Sequence, residues 1–130
     1  MTLNYNDIET AVKAEGDASG FAALMRRFNE LGVLRYDYLV AAGQYRYFDD
    51  DSHVDLQLNG VPQTVAANGD ATKIKAAVRG AQAGDFDFER FCELAGAAGV
   101  PRWTSDLVAK QVTYYNNQDQ PLLVEPIPGL

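Results

Sequence analysis

FAALMRRFNELGVLRYDYLVAAGQYRYF, residues 21–48, recurs in outline as FERFCELAGAAGVPRWTSDLVAKQVTYY at 88–115. Phe21, Gly32, Val33, Arg35, Ala42, Gln44 and Tyr47 return as Phe88, Gly99, Val100, Arg102, Ala109, Gln111 and Tyr114. Tyr36 is answered by Trp103, and Phe48 by Tyr115. Phe21, Leu24, Met25, Phe28 and Leu31 recur at intervals of three and four, which puts one apolar stripe on a helix. Gly32 ends that helix, since glycine enters the left-handed region at little cost. After it the period changes to two: Tyr36 and Tyr38 alternate, as do Tyr45 and Tyr47, with Ala42-Gly43 as the turn. Phe88, Phe91, Cys92, Ala95 and Ala98 repeat the helix stripe and end at Gly99. Each unit therefore reads as an apolar helix, a glycine stop, a turn bearing arginine and an aromatic, and an aromatic hairpin.

Outward from these units, Tyr5, Ile8, Val12 and Glu15 have helical spacing, and Asp17 or Ser19 can cap the helix that follows. Val54–Leu58 and Val61–Val65 flank Asn59-Gly60, the signature of a tight type I′ hairpin turn, with Pro62 marking an edge strand. Ile74, Ala77, Val78 and Ala81 make another helix stripe, and 102–108, 112–115 and 122–127 read as strands. The order α-α-β-β-β-β-α-α-β-β-β predicts an α+β fold: two similar helix–helix–hairpin halves, with helices packed on a mostly antiparallel sheet. We expect one domain over 1–130, with an internal pseudo-repeat of 1–66 and 67–130.

The 130 residues suit one core. No apolar run approaches the ~20 residues of a membrane span, and MTLNYNDIET lacks a signal peptide's basic start and apolar stretch. One cysteine excludes an internal disulfide framework and suits a reducing cytoplasm. A net charge of −7 opposes binding to DNA, RNA or anionic lipid, all polyanions. Only Arg26-Arg27 forms a basic pair, so neither a nucleic acid nor a membrane is expected as partner.

Phe91-Cys92, Gly99-Val100, Trp103, Tyr114-Tyr115 and Leu123-Val124-Glu125 before Ile127-Pro128 resemble the YbcV-like bacterial family of unknown function. Gly32-Val33 and the tyrosine-rich hairpin extend the resemblance over nearly the whole chain. Members of that family often carry the label phage envelope protein, and the resemblance implies no established activity. FDDDSHVD stands where that family's pattern has a glycine-containing turn.

Three groups of residues carry candidate chemistry. Cys92 is a nucleophile only if a base lowers its pKa. It shares the helix register of Met25, however, where free cysteine behaves as a small buried hydrophobe. Asp51, His53 and Asp55 share a face if the segment is extended, and two carboxylates with an imidazole can hold a divalent ion. The spacing matches no calcium loop, and aspartates at a hairpin end ordinarily form a solvated turn. Arg35 with Tyr36, and Arg102 with Trp103, set a guanidinium beside a ring, suited to cation–π packing or to an anion held by the arginine fork.

These readings favour a cytoplasmic binding or protein-interaction module without catalysis and with no cofactor. Its expected partner is a small anion or peptide held by Arg35, Tyr36, Arg102 and Trp103, and exposed sheet edges allow a homo-oligomer. The alternatives are a small enzyme or metal-binding protein using Asp49 to Asp55, and a structural protein of a phage-like particle.

Overall fold

The structure, a computed structural model, describes residues 21–50, 52–57 and 60–127. Helix α1 (Phe21–Glu30) buries Met25 and Phe28. Gly32 then turns at φ 93°, and Val33 N–H closes on Phe28 O at 3.0 Å. Helix α2 (Ala71–Gln82) starts at Asp70, whose carboxylate accepts from Lys73 N–H. Helix α3 (Phe88–Ala97) starts at Asp87, which accepts from Arg90 N–H in the same way. Both are N-caps that satisfy amides lacking an intrahelical partner. Helix α3 ends as α1 does: Gly99 adopts φ 73°, and Val100 N–H closes on Ala95 O at 3.0 Å.

The six strands are β1 (Arg35–Leu39), β2 (Gln44–Phe48), β3 (His53–Leu56), β4 (Arg102–Asp106), β5 (Gln111–Tyr115) and β6 (Pro121–Pro126). They form one antiparallel sheet in the order β3-β2-β1-β4-β5-β6. Its centre is the β1–β4 pair, where Asp37 faces Thr104.

This corrects the expected architecture of two helix–helix–hairpin halves. Among the described residues, three helices lie against a dominant six-stranded sheet, and each side of that sheet is a three-strand meander. The expected helix at 5–15 and the expected N-cap of the next helix, Asp17 or Ser19, lie outside the described residues, as does Asn59 of the expected tight turn. The expected strand at 61–65 is absent. Pro62 has no amide to donate, and the segment crosses to other partners instead. Gln63 N–H bonds Val40 O, Ala66 N–H bonds Gly96 O, and Asp70 N–H bonds Ala98 O. Residues 60–70 thus strap the end of α3 to the centre of the sheet.

Alternation gives the sheet two unlike faces. Tyr36, Tyr38, Tyr45, Tyr47, Trp103 and Tyr114 point towards the helices. Phe28 of α1 meets Tyr36 and Tyr47, Phe88 of α3 meets Tyr38 and Tyr45, and Phe91 meets Trp103 and Tyr114. Most of these are edge-to-face contacts, the geometry that the ring quadrupole favours.

So many buried hydroxyls make the fold sensitive to alkali. Burial pushes the Tyr36 hydroxyl up to about 12 and raises those of Tyr38, Tyr45, Tyr47 and Tyr114, because desolvation disfavours phenolate. The same cause pushes the Cys92 thiol up to about 11. Each folded pKa is raised, so the unfolded chain sheds these protons first. Stability is then complete below about pH 9 and falls as pH rises through the folded values. A denaturant midpoint should drop between pH 8 and 10.5, with tyrosinate absorbance growing in step with unfolding. A midpoint that stays level across that range contradicts this account.

Candidate functional site

The face of the sheet turned away from the three helices carries most of the charged strand side chains, in three rows across the strands. One row runs His53, Phe48, Arg35, Asp106 and Gln111. The next runs Asp55, Arg46, Asp37, Thr104, Thr113 and Val124, and the third Gln44, Leu39, Arg102 and Tyr115.

The middle row is bonded internally. Arg46 grips Asp55 with two hydrogen bonds, Nε to Oδ1 at 2.8 Å and Nη2 to Oδ2 at 3.2 Å. The Arg46 guanidinium holds the Asp55 carboxyl below the usual carboxylate range, chiefly through those hydrogen bonds. Thr104 Oγ1 donates to Asp37 Oδ1 at 2.6 Å and accepts from Arg102 Nη1 at 3.0 Å. Arg102 also approaches Asp37 at 3.9 Å and bonds Asp119 at 3.3 Å. With about 40 % of each side chain exposed, the Arg46–Asp55 pair contributes little to stability. Arg46→Ala should cost no more than about 1 kcal/mol in a urea melt; a loss above about 2 kcal/mol would show that Arg46 has a larger packing role.

Arg35 and Arg102 hold matching places at the starts of β1 and β4, on this same face. They do not converge. In the β1–β4 register Arg35 faces Asp106 while Arg102 faces Leu39, so four residues separate them along the strands, roughly 13 Å. Nor does either lie on the ring that follows it in sequence. Strand alternation sends Tyr36 and Trp103 to the opposite face, where both are buried at 5 % exposure. Each guanidinium instead covers a ring of the neighbouring strand: Arg35 over Phe48 at 4.2 Å, Arg102 over Tyr115 at 4.0 Å. Phe48 and Tyr115 were the rings to look for, and the recurrence of an aromatic at that place in both units was the visible signal.

The two arginines differ in their company. Arg102 is bonded to Thr104 and Asp119. Arg35 is exposed and has no ion pair among the described residues. His53, also exposed, lies 5.9 Å from the same Phe48 ring.

His53 and Asp55 do share a face, as expected, but Asp51 lies outside the described residues and Asp55 is engaged by Arg46. Among the described residues no group of three or more His, Cys, Asp or Glu side chains could hold a metal. Asp49 is largely buried and organises the β2–β3 turn by accepting from both Ser52 N–H and Ser52 Oγ, at 2.7 and 2.8 Å.

Cys92 is fully buried beside the Tyr38 hydroxyl, with its thiol held protonated at neutral pH. The Tyr38 hydroxyl is itself buried without a hydrogen bond of good geometry. Removing an unsatisfied buried hydroxyl is nearly neutral. Tyr38→Phe should therefore stay within about 1 kcal/mol of the parent in a denaturant titration; a larger loss would mean that the hydroxyl is bonded.

The family described as "Protein of unknown function (DUF1398)" matches residues 9–126. Uncharacterised proteins of Mycobacterium tuberculosis and Mycobacterium bovis are 32 % identical to the chain over 121 residues, covering 85 % of this chain and 72 % of theirs. No helix among the described residues is long and apolar enough to cross a membrane.

Proposed function

Because the chain belongs to the DUF1398 family, whose function is unknown, we propose its role from the outer face of the sheet. It is a cytoplasmic binding or protein-interaction module without catalysis, and Arg35, lying on Phe48, receives a carboxylate from a peptide partner. The observation that carries this reading is the contrast among the arginines of that face. Arg46 and Arg102 have carboxylate partners, while among the described residues Arg35 has only a ring beneath it. A guanidinium spread on an aromatic keeps its edge N–H groups free for a planar two-oxygen acceptor. The net charge of −7 narrows the partner to a single carboxylate offered by a neutral or basic surface, since a polyanion would be repelled.

The test is an NMR titration with a capped Gly-Glu-Gly peptide. The Arg35 Nε–H and Phe48 ring resonances should move in the parent protein and in Arg102→Ala, and the ring should stay still in Arg35→Ala. Equal ring shifts with and without Arg35, or no shift at all, would sink the proposal. A structural role in a phage-like particle rests on a label alone, and the enzyme alternative gains no activated nucleophile from a buried Cys92.

A further inference from the structure

The sheet ends in two unlike edges. Edge β6 carries Pro121 and Pro126, which have no amide to offer a further strand. Edge β3, His53–Leu56, has no proline and no lysine, and no described strand pairs its outer side. Proline and lysine on an edge work against further pairing, and β3 carries neither; its shortness and Asp55 restrict which strand it can accept.

The hydrogen-bond phase of β3 follows from its turn. Asp49 N–H bonds Ser52 O at 3.1 Å. Antiparallel ladders alternate, so the bonds to β2 fall on Val54 with Tyr47 and on Leu56 with Tyr45. The N–H and C=O groups of His53 and Asp55 therefore point away from the sheet.

We infer that β3 pairs with β3 of a second copy of this chain, antiparallel and centred on Val54, joining two six-stranded sheets into one. Only registers that set outward-pointing residues opposite each other can form the ladder. Three do so: His53 opposite His53, Asp55 opposite Asp55, or His53 opposite Asp55. The last makes two doubly bonded pairs and sets an imidazole against a carboxylate at both ends; the other two each bring like side chains together. Asp55 keeps lone pairs for the partner's imidazole N–H while Arg46 holds it, because a carboxylate accepts about four hydrogen bonds. The charged groups around this seam are Arg46 and Asp55 in the middle row, Arg35 beyond Phe48, and Asp49 and Asp50 at the turn. On the helix side, Val54 of one copy meets Val54 of the other, a β-branched cross-strand pair.

So small an interface belongs to the weak class, and sedimentation velocity should follow the protein up to about 1 mM. The expected result is a mass that doubles with concentration, accompanied by slowed hydrogen exchange at the His53 and Asp55 amides. His53→Asp and Asp55→His, each of which sets like groups opposite each other, should each weaken the dimer by at least about tenfold. An equimolar mixture of the two variants puts an acid opposite an imidazole at both ends and should restore it. A parent chain monomeric throughout, variants that dimerise as the parent does, or a mixture no tighter than either variant alone would each overturn the inference.

Discussion

Trp103→Ala should destabilise the protein by about 3–5 kcal/mol, the range for deleting a buried aromatic side chain. The indole is 5 % exposed in the middle of the helix-facing side. It stacks on Tyr38 at 4.6 Å, meets Phe91 edge-on at 5.2 Å and touches Tyr114 at 5.9 Å. These neighbours belong to three different elements, β1, α3 and β5, so collapse around the cavity would have to move all of them. The loss corresponds to a fall in Tm on the order of 10 °C or more for a domain of this size. Trp103→Phe, which keeps much of the volume, should recover part of it. A loss below about 1 kcal/mol for the alanine variant would return Trp103 to the list of binding residues, since a ring kept for a ligand can be removed from the free protein at little cost.

Gly99→Ala should cost about 3 kcal/mol or more, from two sources that act together. Gly99 stands at φ 73°, where a Cβ is strained by roughly 1–2 kcal/mol. A Cβ there would also run into the backbone of Asn68 and Gly69, which belong to the strap crossing the end of α3. Backbone cannot swing aside as a long side chain does, so overpacking adds about 1–3 kcal/mol. Gly84→Ala is the control: its φ is 78°, but a Cβ there meets nothing within 4 Å. It should show the conformational cost alone, and the difference between the two midpoints measures how firmly the strap is held. Equal losses at both positions would mean that the strap yields freely.

Much of the local structure was legible. The stripe through Met25 and Phe28 is a helix face, Gly32 and Gly99 are its left-handed stops, and Tyr36/Tyr38 and Tyr45/Tyr47 are cross-strand neighbours on one side of a sheet. The register comparison that matched Cys92 to Met25 placed both in the core, and both are fully buried. The arginines were harder. Reading Arg35 with Tyr36 and Arg102 with Trp103 joined residues that strand geometry drives to opposite faces, and the rings they cover come from the next strand. The Val61–Val65 segment misled for a similar reason. Its residues suit a strand, but the Gln63 amide found Val40, and that of Ala66 just beyond it found Gly96, instead of a ladder partner.

The sequence by itself determined which residues turn inwards, because periods of 3.6 and 2 sort side chains by face without reference to anything distant. It also marked Arg35 and Arg102 as a pair set apart from the rest. Only the tertiary structure decided that they stand at opposite ends of one face, that Arg102 is bound to Thr104 and Asp119, and that Arg35 is not. That outcome depends on the β1–β4 register and on the turn carrying Asp119, contacts between residues far apart in the chain that no local pattern encodes.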